Sequence, residues 1–231
     1  MSKNLAIIPA RGGSKRIPRK NIKDFLGKPI IAYSIEVAIR SGLFDEIMVS
    51  TDDSEIAEIA KKYGASVPFM RSEKTANDFA TTMEVLSEVV LNYKKKHNTT
   101  FDYVCCIYAT APLIQPEQLI RGYKMLTEEK LDSVYPLVAF GYPVWRGVKI
   151  NALKKTEMVW PEFSNSRSQD LEKIYHDAGQ WYWYNPNHVS DSLLTNNTSC
   201  MILTEEEVQD IDNFVDWKLA EMKYELLQNS K

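Results

Sequence analysis

The densest chemistry in the chain lies in one short stretch, Ala10-Arg11-Gly12-Gly13-Ser14-Lys15-Arg16-Ile17-Pro18-Arg19-Lys20-Asn21, where five cations surround two adjacent glycines. Glycine tolerates positive φ and close backbone approach, so Gly12 and Gly13 are expected to turn N–H groups toward an anion. Arg11, Lys15, Arg16, Arg19 and Lys20 add charge of the sign that a polyphosphate needs, above all as charge develops on a departing pyrophosphate. The stretch is not a P-loop, because no Gly-Lys-Ser/Thr ending follows, and it lacks the three spaced glycines of a dinucleotide loop. A solvated basic loop is the competing reading, since charge runs commonly face water. A nucleic-acid patch is disfavoured because no aromatic residue is interleaved with the cations.

Asp210 and Asp212 stand two apart; on an extended segment their carboxylates point to one side, an arrangement that can hold a hard divalent cation. The alternative is helix N-capping by Asp212 ahead of Asn213, with Asp216 in the first turn, and the two roles are compatible. Trp181, Tyr182 and Trp183 offer aromatic surface, either to a ligand or to the core. Cys105 and Cys106 are adjacent in an apolar run and Cys200 stands alone, which fits neither a disulfide framework nor metal-ligand spacing; reduced thiols are expected. His176 reads as a hydrogen-bonding neighbour rather than a general base, and His97 and His188 as surface residues.

Those side chains need a frame to hold them. Leu5-Ala6-Ile7-Ile8 is continuously apolar and runs into the basic loop, which predicts a buried first strand with the loop at its carboxyl end, where open α/β sheets bind ligands. Apolar spacing predicts helices over 30–40, 54–63, 81–96, 115–129 and 213–228, with Ser41-Gly42 and Gly64 as stops and Thr51-Asp52-Asp53 as a cap. Strands are predicted over 47–50, 67–70, 103–107, 133–138 and 178–184. This alternation predicts an α/β, Rossmann-like, mostly parallel sheet flanked by helices, in one domain spanning 1–231. Over 140–174 the alternation breaks at Pro143, Gly147 and Pro161, and an inserted functional or interaction excursion is expected there.

Composition narrows the classes. With 44% hydrophobic and 26% charged residues the chain is neither disordered nor membrane-like. A net charge of -3 excludes a generally basic surface, so no nucleic-acid partner is expected and any basic site must be local. No apolar stretch approaches a signal-peptide core or a membrane span, and a cytoplasmic protein without a membrane partner is expected.

Pro9-Ala10-Arg11, Gly13-Ser14-Lys15 and Lys20-Asn21 resemble the first-loop signature of the CMP-sialic acid synthetase family, and the likeness runs along essentially the whole chain. Phe44 to Ala65 resembles its second strand, Ser-Thr-Asp turn and following helix. The resemblance implies a nucleotide-diphospho-sugar transferase type of fold, with CTP and an acidic nine-carbon sugar as substrates. It further implies that Arg11, Ser14 and Lys15 contact the nucleotide phosphates, that Lys20 steadies charge at the α-phosphate, and that Arg11, Lys15 and Lys20 carry catalysis. Ala10, Gly12, Gly13, Asn21, Arg71, Asn77, Thr81 and Thr82 would complete the nucleotide site, with Arg71 near the cytosine; read alone, Arg71 could equally be a surface ion-pair residue. Asp210 and Asp212 would bind Mg2+ bridging the phosphates.

Two segments depart from that pattern. Tyr108-Ala109-Thr110-Ala111-Pro112 and Asp177-Ala178-Gly179-Gln180-Trp181-Tyr182-Trp183 resemble the pseudaminic acid branch of the family, whose sugar has two acylamino groups and a methyl terminus. Tyr108, Asp177 and Gln180 are accordingly the expected sugar contacts. Ser166-Arg167-Ser168-Gln169-Asp170-Leu171 resembles a family stretch ahead of the sugar-binding strand, which adds Gln169 as a sugar contact and Arg167 to meet the sugar carboxylate or a phosphate, reaching from the partner subunit of a homodimer. Sialic, legionaminic or shorter ulosonic acids are the alternative acceptors, and a nucleotide-sensing regulator without turnover is the alternative of another class.

Overall fold

Four residues of the first strand are shut off completely from solvent, and their alternation divides the molecule. In the computed structural model, which describes residues 2–229, Leu5 and Ile7 face one apolar cluster while Ala6 and Ile8 face another. A strand with no polar face needs cover on each side, and the chain supplies helices for it. In chain order the elements are β1 Asn4–Pro9, β2 Asp24–Phe25, β3 Lys28–Pro29, α1 Ile30–Ser41, β4 Glu46–Ser50, α2 Ser54–Lys62, α3 Glu73–Ala76, α4 Thr82–His97 and β5 Tyr103–Ile107. They continue as α5 Pro116–Glu128, β6 Ser133–Ala139, β7 Val148–Ile150, β8 Thr156–Met158, β9 Tyr175–Asp177, β10 Trp181–Tyr184, β11 Thr198–Leu203 and α6 Phe214–Asn229.

The main sheet runs β11-β6-β10-β5-β1-β4, with β9 also paired to β6. β1 is parallel to β4 and β5, and β6 is parallel to β11. β10 lies antiparallel between β5 and β6, and β9 is antiparallel to β6. Helices α1, α2 and α5 cover the face carrying Ile8, Cys105, Trp181 and Trp183; α4 covers the face carrying Ile7, Cys106, Tyr182 and Tyr184. Burial pushes the Cys105 and Cys106 thiols well up, in keeping with inert core residues.

Most predicted elements form, with three differences. The strand expected over 67–70 is absent: Pro68 has no N–H to give, and only Ser66 bridges to Met48 before Arg71 N donates to the Thr51 carbonyl at 2.8 Å. The strand expected over 178–184 starts at Trp181, because Gly179 at φ 63° breaks the chain into β9 and β10. β11, not anticipated from the sequence, adds an edge beside β6 over six paired residues.

The 140–174 excursion leaves and returns at one point, where Phe140 N donates to the Ile174 carbonyl at 3.0 Å. It carries the β7–β8 hairpin and a small aromatic centre in which Trp145 packs on Trp160 and Phe163. Among the described residues no helix is long and apolar enough to cross a membrane.

Candidate active site

The basic loop is held from beneath by apolar contacts and from the side by acids. Ile17, fully buried, packs with Phe25, Ile30, Tyr33, Ile211 and Trp217, so one cluster anchors both the loop and the Asp210–Asp212 segment. Burying one such side chain contributes roughly 1.5–3 kcal/mol. Gly12 N donates to Asp52 at 2.9 Å, and a Cβ on Gly12 would lie 2.7 Å from the Asp53 carboxylate. That close approach is why glycine stands there, and neither Gly12 nor Gly13 adopts the positive φ expected of them. Asp53 caps α2 by accepting from Ile56 N at 3.0 Å and also grips Arg19, whose hydrogen bonds hold its carboxyl below the usual range. In the sequence Asp52 and Asp53 read as the helix cap alone; the parallel pairing of β1 with β4 is what brings them to the loop as well.

Above the carboxyl ends of β1 and β5 opens a cavity of about 650 Å³. Its walls bring together Arg11, Gly13, Ser14, Lys15, Lys20, Asn21, Arg71, Asn77, Thr81, Thr82 and Tyr108. Of the expected nucleotide residues, Ala10 lies buried behind the wall and Gly12 spends its N–H on Asp52, so neither lines the cavity. Asn21 Nδ2 donates to the Arg11 carbonyl at 2.9 Å and thereby braces the loop. Arg71 is no surface ion-pair residue: it is 9% exposed and donates to Ser50 Oγ at 3.2 Å and to the Ser50 carbonyl at 2.8 Å. Asn77 Oδ1 accepts from Phe79 N and Ala80 N, which shapes the rim.

Charge in the cavity is unevenly balanced. Arg11 and Lys15 both pair with Asp78, which lies in the segment after Arg71 that the family resemblance places by the nucleotide; Lys15 and then Arg11 hold its carboxyl below the usual range. A carboxylate sitting between two loop cations occupies the position in which an anionic ligand group would satisfy the same donors. Lys20 is half-buried and donates to the Ile211 carbonyl at 2.6 Å; burial lowers its pKa while Asp212 and Asp210 oppose the shift.

Asp210 and Asp212 flank the buried Ile211, so both carboxylates turn away from the core. Asp212 does not cap α6. Asn213 does, accepting from Val215 N at 2.8 Å and Asp216 N at 3.1 Å, while Asp216 accepts from the Asp212 and Asn213 amides. The Asp212 carboxylate is left to pair with Arg16 at 2.6 Å. Among the described residues no group of three or more His, Cys, Asp or Glu side chains is placed to hold a metal. Two carboxylates beside a cation-lined cavity are nevertheless oxygen donors of the kind magnesium takes.

Tyr108 is the junction between this cavity and two more, of about 590 and 490 Å³, which share His176, Asp177 and Tyr182. Tyr108 Oη lies 3.0 Å from Thr82 Oγ1, and burial raises its pKa. Asp177 Oδ1 accepts from Gly179 N at 2.8 Å and its Oδ2 accepts from Tyr182 Oη at 2.7 Å, so the chain break presents a fixed carboxylate to both cavities. Gln180 is a different matter. It is 2% exposed, donates to the Glu207 carbonyl at 2.6 Å and lines none of these cavities, so its role in this chain is to tie β10 to the segment ahead of α6. Trp181 and Trp183 are core residues; Tyr182 alone of the three aromatics reaches the cavities. Arg167 and Gln169 lie on the excursion, Arg167 pairing with Asp170 at 2.8 Å, and the chain does not bring them to these cavities.

The arrangement can therefore grip a polyphosphate over the β1 loop, seat a base against Arg71, and admit a second, bulky substrate past Tyr108. A family model described as cytidylyltransferase matches residues 5–189. A pseudaminic acid cytidylyltransferase of Campylobacter jejuni is 42% identical over 230 residues, covering 99% of each chain. A CMP-N,N'-diacetyllegionaminic acid synthase of Legionella pneumophila is 34% identical, covering 98% of each. Among solved structures, CMP:2-keto-3-deoxy-manno-octonic acid synthetase complexed with CTP superposes with a TM-score of 0.70 at 21% identity, covering 99% of this chain and 100% of that one.

Proposed function

The chain belongs to the cytidylyltransferase family, and from that premise we propose that it transfers CMP from CTP to the anomeric hydroxyl of pseudaminic acid, releasing pyrophosphate. The observation that carries the reading is the cation-lined cavity at the carboxyl ends of β1 and β5, opening through Tyr108 into further space. The choice of sugar rests on the 42% identity to pseudaminic acid cytidylyltransferases along the whole chain.

In the reaction the sugar hydroxyl gives up its proton to solvent as its oxygen attacks the α-phosphorus, the bond to the bridging oxygen breaks, and pyrophosphate leaves with the bonding electrons. Such a transfer needs positioning and charge neutralisation rather than a covalent nucleophile. Arg11 and Lys15, exchanging Asp78 for phosphate, bind the outer phosphates, and Gly13 and Ser14 line the same wall. Lys20 opposes charge at the α-phosphate from beside Asp210 and Asp212. Arg71 fixes the base, with Asn77, Thr81 and Thr82 on the facing rim. Asp210 and Asp212 would hold magnesium, which when bound neutralises phosphate charge. Asp177, braced by Tyr182, meets hydroxyl or amide groups of the sugar. We further propose a cytoplasmic homodimer, joined through the 140–174 excursion.

Pyrophosphate release from CTP and magnesium, measured with pseudaminic, legionaminic and sialic acids in turn, tests this reading. Pseudaminic acid is expected to give the highest kcat/KM, and Lys15→Ala is expected to raise KM for CTP. Turnover of sialic acid alone would overturn the sugar; no turnover with any of the three would overturn the enzyme.

A further inference from the structure

The reacting hydroxyl and the carboxylate of this sugar class sit on the same carbon, which limits where the carboxylate can lie. With the hydroxyl oxygen against the α-phosphorus, the carboxylate must lie within a few ångströms of that phosphorus, next to a polyphosphate that repels it. The cavity of about 590 Å³ is the space that joins Tyr108 to Asp210. Besides Tyr108 and Tyr182, its ionisable walls are three carboxylates, Asp177, Glu205 and Asp210, together with His176 and one ammonium, Lys223 from α6. An acidic sugar could not be oriented in so negative a space without that cation.

Lys223 is built into position rather than free. Its Nζ donates to the Glu205 carbonyl at 2.8 Å and to the Val208 carbonyl at 2.7 Å. Those bonds hold the ammonium beside the turn that leads to Asp210. An ammonium has three donors, two of which these carbonyls take. Among the described residues no carboxylate lies within ion-pair distance of Lys223, although its charge is felt by Glu206, so one N–H and a charge without a contacting counter-ion remain for a ligand. Lys20 and Lys15 serve the other cavity, and Arg167 is paired on the excursion.

We propose that Lys223 receives the C1 carboxylate of the acceptor sugar and so selects α-carboxylated ulosonic sugars over neutral ones. The inference rests on the cytidylyl-transfer reading above, and it adds a residue of α6 that no motif in the sequence pointed to. Charge-assisted bonds of this kind distinguish acid from neutral analogue on the order of tenfold.

The test compares pseudaminic acid with its C1 amide, by pyrophosphate release, in the wild-type protein and in Lys223→Gln, Lys223→Met and Lys223→Arg. Glutamine keeps a donor for the Glu205 and Val208 carbonyls while removing the charge. The expected result is an acid-to-amide ratio of kcat/KM on the order of ten in the wild type. The ratio should fall toward one in Lys223→Gln and Lys223→Met, persist in Lys223→Arg, and leave KM for CTP unchanged throughout. A parallel loss for acid and amide, with the ratio intact, would show a merely structural lysine and overturn the proposal. Equal use of acid and amide by the wild type would overturn it without any variant, even if Lys223→Met failed to fold. Absence of turnover with every acidic sugar would instead bring down the parent reading, a distinguishable failure.

Discussion

Lys20 meets two opposed demands: burial favours its neutral form, while Asp212 and Asp210 favour the charged one, and burial wins. To oppose a phosphate the ammonium must be protonated, so its charge is lost at a lower pH than the ordinary lysine value of 10.5. The alkaline limb of kcat/KM for CTP should therefore descend below pH 10.5, reporting the free protein. Lys20→Arg, whose guanidinium does not titrate there, should flatten that limb while lowering the plateau, because a planar fork cannot reproduce a bond to the Ile211 carbonyl. Lys20→Met should cost kcat on the order of 100-fold, as removal of one preorganised charge does. An unchanged alkaline limb in Lys20→Arg would mean that another group titrates.

Between β4 and α2, one aspartate links stability to function. Asp53 caps α2, grips Arg19 and fills the space under Gly12, so Asp53→Ala should cost ~1 kcal/mol from the lost cap alone. For a chain of this size that corresponds to a Tm decrease of about 2–4 °C. Its folded pKa is depressed, so its contribution is complete well above the usual carboxyl value of 3.8 and fades as pH falls through the lower folded value. The Tm gap between wild type and variant should hold at neutral pH and close in acid; a gap independent of pH would remove Arg19 from the account. The cap itself was legible in Thr51-Asp52-Asp53, as were β1 from its apolar run and α1 from its spacing and Gly42 stop, because these signals are local. What escaped the sequence was non-local. An apolar run at 67–70 reads as strand until Pro68 finds no partner, β11 opens on Thr198-Ser199 after a polar stretch, and the antiparallel setting of β10 is decided by β5 and β6. The same holds at the site: the loop motif disclosed Arg11 to Asn21, whereas the pairing of Asp78 with the loop cations and the place of Lys223 enter only through contacts across the fold.

At the scale of the molecule the excursion presents apolar surface that the chain itself does not cover. Val148 is 61% exposed, Ile150 74% and Leu153 77%, all on or beside the β7–β8 hairpin, while the Trp145–Trp160–Phe163 centre gives that hairpin a rigid base. A hairpin of this kind seldom stays in water unpartnered, and the proposed homodimer would cover it. Light scattering should then report twice the chain mass for the wild type and one chain mass for the double variant Ile150→Lys, Leu153→Lys. Because the replaced side chains are exposed, the variant's Tm measured at low concentration should change little. If Arg167 of the partner subunit completes the sugar site, the monomeric variant should still show a CTP-induced rise in Tm while its kcat/KM for the sugar collapses. A wild type that scatters as one chain at working concentration would overturn the homodimer, and a double variant that stays dimeric would move the interface elsewhere. A monomer with full sugar turnover would show that one chain holds every residue the reaction needs.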